Sequence, residues 1–349
     1  MNRNPSIALT ELPPEQLSQV TTELGGKPFH GKMLRKWIYK RFATSWDEMT
    51  DISVTLRRAL EEQYRIHQLT EAACRRSKDG TVKYAFRLDD GHIVETVNIP
   101  ARSRATLCLS TQVGCAVRCL FCASGLGGFV RNLTPGEIVE QFLIAAAASD
   151  YPVKNVVFMG TGEPLLNFDN LVKALSLLNG PEAINFGARR ITISTIGLPD
   201  GIRRLAEIGL QVNLAVSLHA PNDEKRRLIV PSVRKETIAE ILEAAEAYRN
   251  KTTRDVTFEY VLLGGVNDSG EDAEELAQLL RGTHCTVNLI VWNSVPGIAC
   301  RSPADGRVTA FLKTLQKGRI PVTIRRSRGR DIEAACGQLR LKTPPITSG

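Results

Sequence analysis

TLCLSTQVGCAVRCLFCASG, residues 106–125, begins as a strand and ends as a metal-binding loop. Residues 106–110 form a candidate strand, and Cys115, Cys119 and Cys122 follow in CxxxCxxC spacing ahead of a glycine-bearing stretch from Gly125 to Gly128. Three thiolates bind three irons of a cubane and leave the fourth iron open to a small-molecule ligand, unlike the usual four-cysteine arrangement. Soft thiolates also suit zinc, and Cys108 is available as a fourth ligand of a structural site. Spacing alone leaves both readings open.

Downstream, strands and helices alternate. Candidate strands cover 106–110, 155–159, 190–194, 211–217, 255–262 and 286–291. Candidate helices cover 135–148, 169–178, 201–208, 237–248, 271–280 and 303–315, and a further strand at 322–325 leads into a loop and tail containing Cys336. Six consecutive βα units predict an α/β fold, a parallel sheet curved into a partial (β/α)6 barrel, with its site at the C-terminal ends of the strands. Upstream, Asp79-Gly80 and Asp90-Gly91 sit between alternating apolar and polar residues and predict β-hairpins over 70–100. Residues 14–66 show apolar residues at three- and four-residue spacing, broken at Gly25-Gly26, and predict a small helical domain. The expected organisation is therefore a helical domain at 1–70, a β-hairpin connecting region at 71–104, a core at 105–331, and a C-terminal loop and tail at 332–349.

Residues 27–41 contain no acid. A helix there places Lys32, Lys36 and Lys40 on one face, with Phe29, Trp37 and Tyr39 interleaved and Phe42 just beyond. Such a face tracks phosphates while aromatics stack on bases, or it is a solvated basic surface over an aromatic core. The net charge of +8 over 349 residues favours an anionic partner. With 43% apolar residues, 27 glycines and 17 prolines the composition is that of an ordinary globular protein. The N-terminus has no apolar signal core, and apolar runs such as 142–148 fall far short of the ~20 residues that span a bilayer, so a cytoplasmic protein with no membrane partner is expected. In that reducing compartment, eight cysteines argue for metal ligation or thiol chemistry ahead of a disulfide framework.

Small polar residues collect at the strand ends: Gly160-Thr161-Gly162-Glu163-Pro164 after the second strand, Ser194 after the third, Ser217-Leu218-His219 after the fourth, and Asn293 after the sixth. Glycine admits close approach to the backbone, Glu163 accepts hydrogen bonds from a cationic amino group, and the hydroxyls and amide suit a nucleoside. Each taken singly reads as a helix cap or turn former; their shared placement makes a site. Cys336, like Cys74, Cys285 and Cys300, reads by itself as a small buried apolar residue.

The longer segments DGHIVETVNIP around Glu95, TLCLSTQVGCAVRCLFCASG, GFVRNLTPGEI, GTGEPLLN, ITISTIG, SLHAPND, GGVNDS and RGRDIEAACGQL together resemble the RlmN/Cfr family of radical S-adenosylmethionine (SAM) RNA methyltransferases, nearer its RlmN branch. The resemblance covers nearly the whole chain. It implies a radical SAM barrel and a [4Fe-4S] cluster held by Cys115, Cys119 and Cys122, with SAM chelating the open iron and contacted by Gly162, Glu163, Ser194, Ser217, Leu218, His219 and Asn293. It further implies that one SAM methylates Cys336, that cleavage of a second yields a radical which takes hydrogen from that methyl, and that the resulting carbon attacks adenine. Cys108 is then the residue that resolves the RNA adduct, leaving a transient Cys108–Cys336 disulfide, and Glu95 a proton acceptor. The implied substrates are 23S rRNA and tRNA, methylated at adenine C2, with ferredoxin or flavodoxin as electron donor. Cfr-like methylation at C8 uses the same cysteines, and a non-catalytic zinc or iron–sulfur RNA-binding protein is the rival from another class. Thr161 and Ser294 stand where the family commonly has methionine and proline.

Overall fold

The computed structural model describes residues 7–232, 235–325 and 327–339; the first six residues and the expected tail beyond 339 lie outside the described residues. In chain order the elements are β1 (Ile7–Ala8), α1 (Gln16–Glu23), α2 (Pro28–Tyr39), α3 (Val54–Gln63), β2 (Tyr64–Arg65), β3 (Thr70–Arg76), β4 (Val82–Arg87), β5 (Ile93–Ala101), β6 (Arg104–Cys108), β7 (Gln112–Gly114) and β8 (Phe129–Asn132). There follow α4 (Pro135–Ala147), β9 (Val153–Phe158), α5 (Phe168–Asn179), β10 (Ile191–Thr195), α6 (Pro199–Glu207), β11 (Asn213–Ser217), α7 (Asp223–Ile229), α8 (Ile238–Thr252), β12 (Val256–Leu262), α9 (Gly270–Leu279), β13 (Cys285–Val291), α10 (Asp305–Lys317) and β14 (Val322–Arg325).

The helices start where short polar side chains satisfy their free backbone donors. Thr134 accepts from the Glu137 amide at 3.1 Å while Glu137 returns a bond to the Thr134 amide at 2.9 Å, and Pro135 occupies the first turn of α4. Thr237 with Glu240 and Ser269 with Asp272 repeat this device at α8 and α9. Helix α8 runs past the expected end at Tyr248 to Thr252, and stops at Thr253, which takes the left-handed conformation. No apolar period marks α7, because its DEKRR run carries charge instead; Asn222 caps it through the Lys225 amide at 2.9 Å.

Ten strands form one sheet in the order β14-β13-β12-β11-β10-β9-β6-β5-β4-β3. From β14 to β6 every pairing is parallel, as six βα units require. From β6 to β3 every pairing is antiparallel, so the hairpins of 70–101 continue the barrel's sheet. Strand β3 is exposed at every position and guards this edge with Glu71, Arg75 and Arg76. The helical segment shares a single hydrophobic core with the barrel: Leu17, Leu34, Ile38 and Tyr39 join the same cluster as Leu107, Ile138 and Phe158. The fully buried Glu140 of α4 joins these parts, accepting from Thr10 Oγ1 and from the amides of Gln68 and Leu69, both at 2.8 Å.

On α2 the three lysines lie exposed, but Trp37 and Tyr39 are buried. Trp37 donates to Asp51 Oδ1 and is covered by Arg41, whose guanidinium lies 4.0 Å from the ring centroid. Those two aromatics therefore belong to the core, and Phe29 is the exposed ring of this helix.

Candidate active site

The C-terminal ends of the parallel strands open into a cavity of about 150 Å³. Its wall includes Cys115, Cys119 and Cys122, the expected Gly162, Glu163, Ser194, Ser217, His219 and Asn293, and Cys336. Leu218 is fully buried behind this wall and does not line it; it contributes its backbone, donating to the Glu259 carbonyl at 3.0 Å.

The cysteine loop is held by a short ribbon, β7 with β8, which the sequence reading did not anticipate. Gly114 needs its positive φ of 73°, and a Cβ there would meet the Gly128 carbonyl at 1.9 Å. The three thiols pack against Val117, Phe121, Ile196, Val261 and Trp292. Trp292 donates to the Phe121 carbonyl at 2.9 Å and so fixes the loop between the second and third cysteines. Burial, reinforced by the charge of the neighbouring cysteines, pushes the Cys119 thiol far up; burial raises Cys115 to about 11 and also raises Cys122. Three such thiols in one apolar wall suit a cationic metal group, whose binding displaces their protons. Cys108 does not join them: it lines a neighbouring cavity, which removes the fourth ligand of the zinc alternative.

Gly162, at φ 110°, brings the β9 loop so close to Gln112 that a Cβ would lie 2.6 Å from that side chain. Glu163 accepts from the Leu165 amide at 3.0 Å and the Ile196 amide at 2.8 Å, tying the ends of β9 and β10 together. Burial lifts its carboxyl to about 7 despite these bonds, leaving lone pairs for a cationic ligand. His219 adopts φ 60°, accepts from the Val261 amide at 3.1 Å through Nδ1, and stands edge-on to Phe121 with ring centroids 4.8 Å apart. Burial drops it to about 3, so the ring is neutral with its proton on Nε2. Thr161 serves through its main chain, donating to Ser110 Oγ at 2.9 Å and accepting from the Thr111 amide. Ser294 likewise offers only its carbonyl, to Gln338 at 2.9 Å, an acceptor that proline also possesses.

Cys336 lines both cavities. The second, about 150 Å³, is also lined by Cys108, Met159 and Arg325. Both cysteines are free thiols, and burial, then the charge of Cys336, pushes Cys108 up to about 12. The Cys336 loop is bonded on several sides. The Gly337 carbonyl accepts from the Ala123 amide at 2.7 Å and the Leu339 carbonyl from Ser124 Oγ at 2.7 Å, both on the cysteine loop. Asp331 accepts from Ser77 Oγ at 2.5 Å and from the Lys78 amide at 3.1 Å, at the turn between β3 and β4. Lys83 Nζ donates to the Glu333 carbonyl at 3.0 Å and pairs with Glu95 at 2.9 Å. Glu95 is thus buried beneath the loop and lines neither cavity.

The sequence reading missed Arg226, Arg325 and Lys83. Arg325 ends β14, and the strand-end rule that selected Ser194 and Ser217 would have selected it too. Lys83 carries no such signal, and Arg226 is hidden in a charge run.

Comparison with known proteins agrees with this geometry. Residues 109–280 match the Radical SAM superfamily, and residues 7–66 match the ribosomal RNA large subunit methyltransferase N-terminal domain, so fold and site define a radical SAM protein with a [4Fe-4S] cluster and SAM as its cofactors. A crystal structure of a radical SAM methyltransferase from Sphaerobacter thermophilus superposes with a TM-score of 0.92 at 44% identity, covering 96% of this chain and 99% of that one. The chain is 46% identical to a probable dual-specificity RNA methyltransferase RlmN of Thermotoga maritima, over 96% of this chain and 97% of the relative. Identity is again 46% with RlmN 2 of Protochlamydia amoebophila, covering 91% and 90%. The chain belongs to the RlmN family of radical SAM RNA methyltransferases. No helix among the described residues is long and apolar enough to cross a membrane.

Proposed function

We propose that this chain methylates C2 of an adenine in 23S rRNA and in tRNA, by way of a methyl group carried on Cys336. The observation that carries this reading is the position of Cys336 in the wall common to two cavities, one lined by the three clustered thiols and the other by Cys108. An aromatic carbon is too poor a nucleophile to attack SAM directly; the bound cluster and SAM supply the methyl group and the one-electron chemistry that make transfer feasible. Cys115, Cys119 and Cys122 hold the cluster. Gly162 and Glu163 would take the amino end of SAM, Ser194, Ser217 and neutral His219 would contact its nucleoside, and Leu218 would act through its backbone. Asn293, bonded to the Cys336 carbonyl, would contact SAM from the same cavity wall.

From the second cavity, the Cys108 thiolate would attack the Cys336 sulfur; the disulfide forms as the bond from that sulfur to the bridging carbon breaks, and the electron pair with a proton goes to the carbon, leaving a methyl group on the adenine. The raised pKa of Cys108 keeps it a thiol until then, and the neighbouring Arg325 guanidinium favours its thiolate. Glu95 acts with Lys83 beneath the loop, and a proton-accepting role requires the loop to shift so that its carboxylate is uncovered. The exposed Lys32, Lys36 and Lys40 grip RNA phosphates, and the target base is unstacked to reach the cavity. The setting is the cytoplasm, with ferredoxin or flavodoxin as electron donor.

The test is mass spectrometry of nucleosides from rRNA and tRNA treated with anaerobically reconstituted protein, SAM and a reductant. The expected product is 2-methyladenosine in both. Finding 8-methyladenosine assigns the chain to Cfr-like chemistry, and an intact cluster with no methylated adenosine refutes the substrate.

A further inference from the structure

We propose that Arg226 is a positioning residue for the radical chemistry, holding the cofactor wall in shape and setting the reduction potential of the cluster with its buried positive charge. The inference rests on the cluster reading above.

Arg226 lies on α7 with 1% of its surface exposed. Its Nη1 donates to the carbonyls of Ser217 at 3.1 Å and Leu218 at 2.8 Å, and its Nη2 donates to the carbonyl of Ile196. One planar guanidinium thus joins the loops that follow β10 and β11, whose residues Ile196, Ser217 and His219 form one wall of the cavity. The Ile196 amide donates in turn to Glu163, so the connection runs on to the end of β9. The same helix is bonded to the cysteine loop: the Ile229 carbonyl accepts from the Leu120 amide at 3.0 Å.

No carboxylate among the described residues lies within ion-pair distance of Arg226, and its Nε has no hydrogen-bond partner. A buried charge held only by carbonyl dipoles is costly unless an anion occupies the adjacent space. Burial disfavours this charge most, and the helix that carries it is tied through the Ile229 carbonyl to Leu120, the residue next to Cys119. Three thiolates around an iron–sulfur cubane are the anion this arrangement lacks. Adding an electron makes that group more negative, so a nearby buried cation stabilises the reduced form.

The test is a spectroscopic redox titration of anaerobically reconstituted wild-type, Arg226→Gln and Arg226→Lys proteins, with SAM binding measured by calorimetry in parallel. At a fixed potential Arg226→Gln should lower the reduced-to-oxidised ratio of the cluster about tenfold, which for a one-electron couple corresponds to about 59 mV. Arg226→Lys keeps the charge and loses the fork; its ratio should stay near wild type while SAM binding weakens. An unchanged ratio in a fully loaded Arg226→Gln protein overturns the proposal. Where Arg226→Gln fails to retain iron, the lysine variant decides: a wild-type ratio supports the role, and a tenfold fall or a failure to load iron overturns it. A wild-type protein that assembles no cluster would instead refute the functional reading itself.

Discussion

The side-chain amide of Asn293, just past the end of β13, donates to the main-chain carbonyl of Cys336 at 3.2 Å, and its oxygen accepts from Arg330 Nε at 3.0 Å. A residue expected to face SAM is therefore also a latch on the loop that carries Cys336. Asn293→Ala should loosen the loop by about 1–3 kcal/mol, the cost of leaving such partners unpaired. Hydrogen exchange of residues 329–339 should rise accordingly. Unchanged exchange together with lost methylation would confine Asn293 to cofactor contact.

Cys336→Ala should abolish RNA methylation while leaving the iron content unchanged, because the three ligands lie on a different loop. Cys108→Ala should trap a protein–RNA adduct, visible as a gel-shifted species that survives denaturation. Full activity in the first variant eliminates the methyl carrier, and absence of adduct in the second eliminates the resolving thiol.

Lys83 and Glu95 are buried together at 2.9 Å, with side-chain exposures of 6% and 9%. Lys83→Met removes the ammonium group paired with the buried Glu95 carboxylate and should destabilise the fold by about 3–5 kcal/mol in urea denaturation. The double variant Lys83→Met with Glu95→Leu should recover most of that stability. No recovery would mean that Lys83 acts chiefly through its bond to the Glu333 carbonyl.

Burial raises the Glu140 carboxyl to about 8, above its value in the unfolded chain, although three donors partly offset the effect. The folded state therefore keeps a proton that the unfolded chain releases. Its contribution to stability is complete below the usual glutamate range and is lost as pH climbs through about 8. Glu140→Gln should flatten the fall in melting temperature between pH 5 and about 9. An unchanged slope would show that the carboxylate is ionised in the fold.

The barrel was legible because each βα unit carries its own period and caps, and the observed strands and helices differ from expectation mostly by one or two residues. The cavity was legible for the same reason: strand ends are positions that a parallel sheet brings together. Arg226 was not, since DEKRR has the composition of a solvated helix and only tertiary packing turns its second basic residue inward. The joining of Asp331 to Ser77 was equally hidden, because no local pattern relates residues so far apart. Trp37 and Tyr39 look the same in sequence whether they stack on bases or fill a core.

Strands β3 and β14 occupy opposite ends of the ten-stranded sheet, yet the loop after β14 bonds to the turn between β3 and β4 through Ser77, Lys78 and Asp79. The loop of residues 327–339 thereby fastens to nearly the first strand of the sheet, across a curvature that every intervening strand must already supply. Contacts of such long sequence separation form late in folding. The Cys336 loop is consequently fastened beside Cys115, Cys119 and Cys122 only once the barrel is complete.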